Sequence, residues 1–205
     1  MIIQLFIKGG PIMWPLLLTS IVAVAIVVER LLFLLIKRQR RDAQSIEEIF
    51  KIVETGQMNE AVLVAQSSKD YVAQVLASGL AHRKESFSNA LLRAANQELK
   101  QFNRGLSTLE TIITLAPLLG LLGTVTGMIH AFRLLGNQEL STTGVITGGI
   151  SEALIATAFG LGIAILALIP FNYLNSRQEE VRHEIQDAAT YLEILLEGKS
   201  AHLEK

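Results

Sequence analysis

The 205-residue chain is half apolar, only 18% charged, and carries a formal net charge of −1, a balance suited to long segments in lipid. No basic patch is interleaved with aromatics, so nucleic acid is set aside as a partner. With no cysteine, disulfides, thiolate metal sites and cysteine nucleophiles are excluded, and the four histidines show no metal-ligand spacing.

A bilayer core takes about 20 helical residues to cross, and three apolar runs are that long: Pro11 to Ile36, Ile112 to Phe132, and Val145 to Tyr173. The competing reading of the first run is a cleaved signal peptide. Its length and its basic end, Lys37, Arg38, Arg40 and Arg41, favour a span, since a signal core is shorter and lacks such a stop. Basic residues beside a span stay in the cytoplasm. The N-terminus is therefore expected outside, the first helix running inward, the second outward and the third inward again. Arg83, Lys84, Arg93, Lys100 and Arg104 fit a cytoplasmic stretch after the first span, and Arg177 and Arg182 follow the third. The connection from Arg133 to Gly144 has one basic and one acidic residue, Arg133 and Glu139, as a translocated loop should.

Between the first two spans the pattern is helical. Ser45-Ile46-Glu47-Glu48 has the form of a capping box, Gly56 is a helix stop, and further helices are expected over Met58 to Ala65 and from Asp70. From Ser88 to Asn103 a helical pattern runs toward the second span, with Gly105 as a tolerable interruption, so that span is expected to continue below the bilayer. After the third span, Leu174, Val181, Ile185, Ala188, Leu192 and Leu195 recur at three-and-four spacing, the mark of a helix packing along one stripe. The expected fold is an all-α integral membrane protein with three transmembrane helices, the second and third extended into the cytoplasm. Its divisions are residues 1–36 (external N-terminus and first span), 37–107 (cytoplasmic helical region), 108–174 (second and third spans) and 175–205 (cytoplasmic tail).

Polar residues inside the second and third spans draw attention, because hydrocarbon offers no water to an unpaired hydroxyl or carboxylate. Thr124 lies roughly 12 Å from the outer end of the second span, Thr157 roughly 18 Å and Glu152 roughly 10 Å from that of the third, at 1.5 Å per residue. Both spans are rich in small residues: Ala116, Gly120, Gly123, Thr124, Gly127 and Ala131 in one, Gly149, Ala153, Ala156, Thr157, Gly160 and Ala164 in the other. Such surfaces let helices approach closely. Thr124, Thr126 and Thr157 are thus read either as packing residues or as the lining of an ion path. Glu152 costs about 3 kcal/mol at such a depth if ionised; it either reaches outward to hydroxyls at the external face or serves as a cation or proton entrance. Glu29 and Arg30 read as interfacial anchors, Glu110 as a residue at the cytoplasmic mouth, His130 and Arg133 as interfacial, and Pro117 and Pro170 as sites of bending. The sequence holds neither a phosphate-cradling glycine loop nor a Ser-His pair within reach of one span, so no enzyme activity and no cofactor are expected.

The run Ala116-Pro117-Leu118-Leu119-Gly120-Leu121-Leu122-Gly123-Thr124-Val125-Thr126-Gly127-Met128-Ile129, followed by Ser151-Glu152-Ala153-Leu154-Ile155-Ala156-Thr157-Ala158-Phe159-Gly160-Leu161, resembles the MotA/TolQ/ExbB proton-channel family. Trp14-Pro15 and Glu29-Arg30-Leu31 extend the likeness over nearly the whole chain. Three spans rather than four resemble the TolQ/ExbB branch. The resemblance implies a bacterial inner-membrane subunit that forms a pentameric ring, its second and third helices around a central pore. It also implies a single-span partner of the ExbD/TolR type carrying a membrane aspartate, and a TonB-like protein served by the assembly. Carried over, Thr124 and Thr157 match the family's pore threonines and Glu152 its third-helix glutamate, while Thr126 stands where the family often has a bulkier residue. The implied work is energising TonB-dependent uptake, with TolQ-like envelope maintenance or a non-conducting membrane scaffold as alternatives.

Overall fold

The structure is a computed structural model and describes residues 2–83, 85–136 and 143–203. Among the described residues all regular structure is helical: α1 (Ile2–Lys8), α2 (Met13–Gln39), α3 (Ala43–Thr55), α4 (Met58–Ser67), α5 (Tyr71–Ala81), α6 (Phe87–Asn103), α7 (Leu106–Gly136) and α8 (Thr143–Leu203). Three stretches, Met13–Gln39, Phe87–Arg133 and Thr147–Gly198, are long and apolar enough to cross a membrane, matching the three runs read from the sequence. Helix α1 lies outside every element read from the sequence. Lys84 and Glu139, read above as cytoplasmic and external, lie outside the described residues.

The chain divides into two compact units, one of Met1–Arg30 with Gly105–Leu174 and one of Leu31–Arg104 with Asn175–Lys205. In the first, Met13, Leu16, Ala23 and Arg30 form the buried face of α2, three and seven residues apart as one helix face requires. Trp14, Leu18, Ile21, Val24 and Val28 are exposed on the remainder, a surface that water would not tolerate and lipid would. Pro15 sits in the first turn of α2, where its missing N–H has no helical acceptor to lose. Pro117 and Pro170 each lie inside an uninterrupted helix.

The structure departs from the sequence expectation at Gly105 and at Arg30. The helical path toward the second span does not pass through Gly105: α6 ends at Asn103, and Gly105 takes φ +81°, a left-handed conformation that breaks a right-handed helix and suits glycine. Arg30 is no snorkelling anchor. It is 3% exposed, pairs with the neighbouring Glu29, and lays its stem under Gly105, whose added Cβ would lie 3.9 Å from Arg30 Cδ and 3.1 Å from Ile26 Cγ2.

The second unit has a hydrophobic core. Ile49 and Val53 of α3, Ala61 and Ala65 of α4, and Val72, Val75, Leu76 and Leu80 of α5 are almost fully buried together with Val181, Ile185 and Leu192 of α8. The stripe read on the tail is therefore its packing face. Asp42, rather than Ser45, caps α3: its carboxylate accepts the Ser45 backbone N–H at 3.1 Å and the Ser45 hydroxyl at 2.6 Å. Those two bonds hold the Asp42 carboxyl below its ordinary value. Asp carries a stronger acceptor than Ser and stands three residues ahead of the N–H it bonds, so it wins the cap. Gly56 closes α3 at φ +92° as read.

Asp70 caps α5 and is fully buried, accepting from Val72 N (2.7 Å), Asp42 N (2.8 Å) and Arg41 Nη1 (2.7 Å). The second Arg41 nitrogen meets Glu184 at 2.8 Å, and the Tyr71 hydroxyl donates to the same Glu184 carboxylate. Burial and then the bond to Glu184 push the Tyr71 phenol up. Burial works against the Arg41 charge, but the hydrogen bond and charge of Asp70 outweigh it and raise the guanidinium further. Lys37 pairs with Glu98 at 2.8 Å. Two of the four residues in the basic cluster thus have specific partners as well as a place beside a span.

Candidate functional site

The sequence-marked residues converge on the pairing of α7 with α8. Small residues recur along α7 at Ala116, Gly120, Gly123, Gly127 and Ala131, and each meets a small residue or bare backbone on α8. A methyl at Gly160 would lie 2.5 Å from the Ala116 carbonyl oxygen and 3.0 Å from Gly120 Cα; at Gly123 it would lie 2.5 Å from Ala156 Cβ; at Gly127, 3.2 Å from Ala153 Cβ; and at Gly149, 2.5 Å from Ala131 Cβ. The numbers rise on one helix as they fall on the other, so the pair is antiparallel. Contacts this close need positions with no side chain, which is why glycine alternates with alanine.

That register sets the levels of the polar groups. Gly120 faces Thr157 and Gly123 faces Ala156, which puts Thr124 and Thr157 within about one helical turn of each other along the pair. Glu152, five residues from Thr157, lies about 7 Å away along α8. The hydroxyls do not donate to one another. Thr157 Oγ1 donates across the helix pair to the Gly120 carbonyl at 2.9 Å, whereas Thr124 Oγ1 turns back to its own Leu121 carbonyl at 2.6 Å. Thr126, exposed, bonds the Leu122 and Gly123 carbonyls of its own helix at 3.0 and 3.2 Å. Each hydroxyl proton is therefore occupied, and what Thr124 and Thr157 present outward is acceptor lone pairs.

Glu152 is half-buried, and among the described residues it has neither a hydrogen bond nor an ion pair. Its side chain instead lies against the turn between α1 and α2. Gly10 has φ +73°, and a Cβ there would fall 1.8 Å from Glu152 Oε1 and 2.7 Å from its Cδ. Gly9 of the same turn faces Ile155, and Ile12 faces Gly123, so residues 9–12 cover the α7–α8 pair beside the carboxylate. The sequence carries a signal for this in Gly9-Gly10-Pro11, a turn cluster at the head of the first span. Glu110 and His130 are exposed on α7, away from the small-residue seam.

The model of the MotA/TolQ/ExbB proton channel family matches residues 67–187, which includes both polar cores and all of α6 and α7. Among curated proteins, the chain is 37% identical to the ExbB-like 1 protein of Synechocystis sp., over 93% of the chain and 77% of that protein. It is 29% identical to the biopolymer transport protein ExbB of Neisseria meningitidis, over 93% of the chain and 94% of that protein. With the Tol-Pal system protein TolQ of Haemophilus influenzae it shares 35% identity over 55% of the chain and 51% of that protein.

Proposed function

The chain belongs to the MotA/TolQ/ExbB proton channel family, in its TolQ/ExbB branch, and we propose that it is the channel subunit of a motor that turns proton flow into mechanical work. Three membrane-length helices and the family together make it a multi-pass protein of the inner membrane. We place its N-terminus outside and its C-terminus in the cytoplasm, from the basic cluster after the first span.

The observation that carries the mechanism is the α7–α8 seam, which brings Thr124 and Thr157 to one level with their protons already bound to carbonyls. A threonine hydroxyl does not ionise near neutral pH, so it cannot store a transported proton. The carrier must be a carboxyl on a partner, for which a single-span protein of the ExbD/TolR type with a membrane aspartate fits. Lone pairs on Thr124 and Thr157 accept from a protonated carboxyl and offer no donor to a charged one. The seam therefore favours the neutral partner, and loss of its proton to the far side releases it. Several copies of this seam around one partner helix, as in a pentameric ring, present a succession of near-equivalent positions. Each proton crossing 100 mV supplies about 2.3 kcal/mol, enough to bias movement between such positions. Glu152 serves in this reading as the entrance group. A sodium path would want several oxygen ligands together, and Thr124, Thr126 and Glu152 do not supply them within one subunit.

Coverage favours TonB-dependent uptake as the work performed, since the ExbB relative matches along nearly its whole length. The TolQ match, of higher identity over about half the chain, supports envelope maintenance as the second reading. Complementation of strains lacking one or the other subunit separates them. For the mechanism, proton flux is measured in liposomes holding this chain and its single-span partner. Flux is expected to fall at least tenfold in Thr124→Ala, Thr157→Ala and Glu152→Gln. Undiminished flux in all three overturns the site, and a stable monomer in mild detergent overturns the ring.

A further inference from the structure

We propose that Gly10 is a positioning residue for Glu152: the Gly9–Gly10 turn holds the carboxylate at its place beside the α7–α8 pair and thereby sets its access to solvent. The functional half of this proposal rests on the reading of Glu152 as an ion-path residue. The steric half does not.

Three consecutive heavy atoms of the Glu152 side chain, Cγ, Cδ and Oε1, would lie 3.2, 2.7 and 1.8 Å from a Cβ at position 10. The carboxylate thus occupies the volume that any other residue at that position needs for its side chain. The turn has no room to withdraw. Gly9 is itself closed in, its Cβ direction blocked by Met13 at 2.6 Å and by Ile155 Cγ2 at 3.1 Å, while Ile12 Cγ2 stands 3.1 Å from the Cβ position of Gly123. Met13 and Leu16, just beyond, are each 1% exposed and pack with Ala116, Phe6 and Phe159. The edge-on contact of Phe6 with Trp14, ring centres 5.5 Å apart, ties α1 to the start of α2.

Position 10 therefore meets two separate demands, a left-handed φ and an empty side-chain volume. Only the second involves Glu152. A carboxylate with no hydrogen-bond or ion-pair partner among the described residues is otherwise free to choose among rotamers, and excluded volume from the turn is what removes that choice. For a group that exchanges protons with water at a membrane face, place determines rate.

The test is the rate at which a hydrophobic carbodiimide modifies residue 152 in native membranes, read by mass spectrometry, alongside proton flux with the partner chain. Gly10→Ala is expected to change the labelling rate at least fivefold and lower flux at least tenfold. Adding Glu152→Asp, whose shorter side chain retracts from the turn, is expected to return flux to within threefold of Glu152→Asp alone. If Gly10→Ala does not assemble, Gly10→Asn, whose residue type tolerates the left-handed φ, isolates the volume demand, and adding Glu152→Ala to it should restore the oligomer. An unchanged labelling rate in an assembled Gly10→Ala or Gly10→Asn protein overturns the proposal, as does failure of Glu152→Ala to restore assembly of Gly10→Asn. Altered labelling with undiminished flux upholds the positioning and instead refutes the role of Glu152 in the ion path.

Discussion

Two single-methyl additions on the α7–α8 seam should differ in whether a second mutation can repair them. In Gly123→Ala the new methyl lies 2.5 Å from Ala156 Cβ, about 1 Å inside the 3.5–4.0 Å at which carbon atoms rest. In Gly160→Ala it lies 2.5 Å from the Ala116 carbonyl oxygen and 3.0 Å from Gly120 Cα. Either change must part the helices by about 0.5–1 Å, and a gap of that size forfeits a quarter to a half of the dispersion energy of the contacts it opens. Overpacking of this kind costs about 1–3 kcal/mol, and the Thr157 bond to Gly120 should lengthen with it. Gly123→Ala clashes with a side chain, so adding Ala156→Gly should recover at least half of the lost stability. Gly160→Ala clashes with backbone, so Ala116→Gly should recover nothing. Thermal unfolding of the purified protein in one detergent, with hydrogen exchange followed in α7 and α8, reads both. Equal rescue of the two, or loss of less than about 0.5 kcal/mol in either, a change as small as a surface substitution makes, would refute this register.

Thr157→Val keeps shape and removes the hydroxyl; it should cost only about 1 kcal/mol of stability, as membrane hydrogen bonds do, yet lower flux at least tenfold in the liposome assay. Arg41→Ala leaves the buried Asp70 carboxylate without its guanidinium and should destabilise the second unit by about 3 kcal/mol, visible as faster hydrogen exchange in α5. Tyr71→Phe should cost about 1 kcal/mol through loss of the bond to the partly exposed Glu184. Because folding raises the Tyr71 phenol above its ordinary 10.0, its contribution is complete below that pH and is lost as pH rises through the folded value. The gap between wild type and Tyr71→Phe should therefore be flat from pH 7 to 9 and narrow above about 10, as followed by chemical denaturation across that range.

Much of the architecture follows from local rules. The three spans, Gly56 as a stop, the start of α5 at Asp70 and the packing stripe Val181, Ile185 and Leu192 all depend on residues a few positions apart, where the cost of polar groups in hydrocarbon and the helical period decide the outcome. The small-residue faces of α7 and α8 were legible for the same reason, as was the similar level of Thr124 and Thr157 along the two helices. At α3 the local rule picked Ser45, because two residues three positions apart could both cap and only the observed bonds separate them.

What the sequence did not determine are contacts between positions far apart in the chain. Glycines and alanines on both helices allow many sliding registers, so the donation from Thr157 to Gly120, 37 residues away, waits on tertiary packing. The same holds for the burial of Arg30 under Gly105 and for the joining of Arg41, Asp70 and Glu184. It holds most for Glu152, whose residue type declared a costly group in the membrane but whose neighbour, the empty side of Gly10, is fixed only when the turn before the first span folds back over the third.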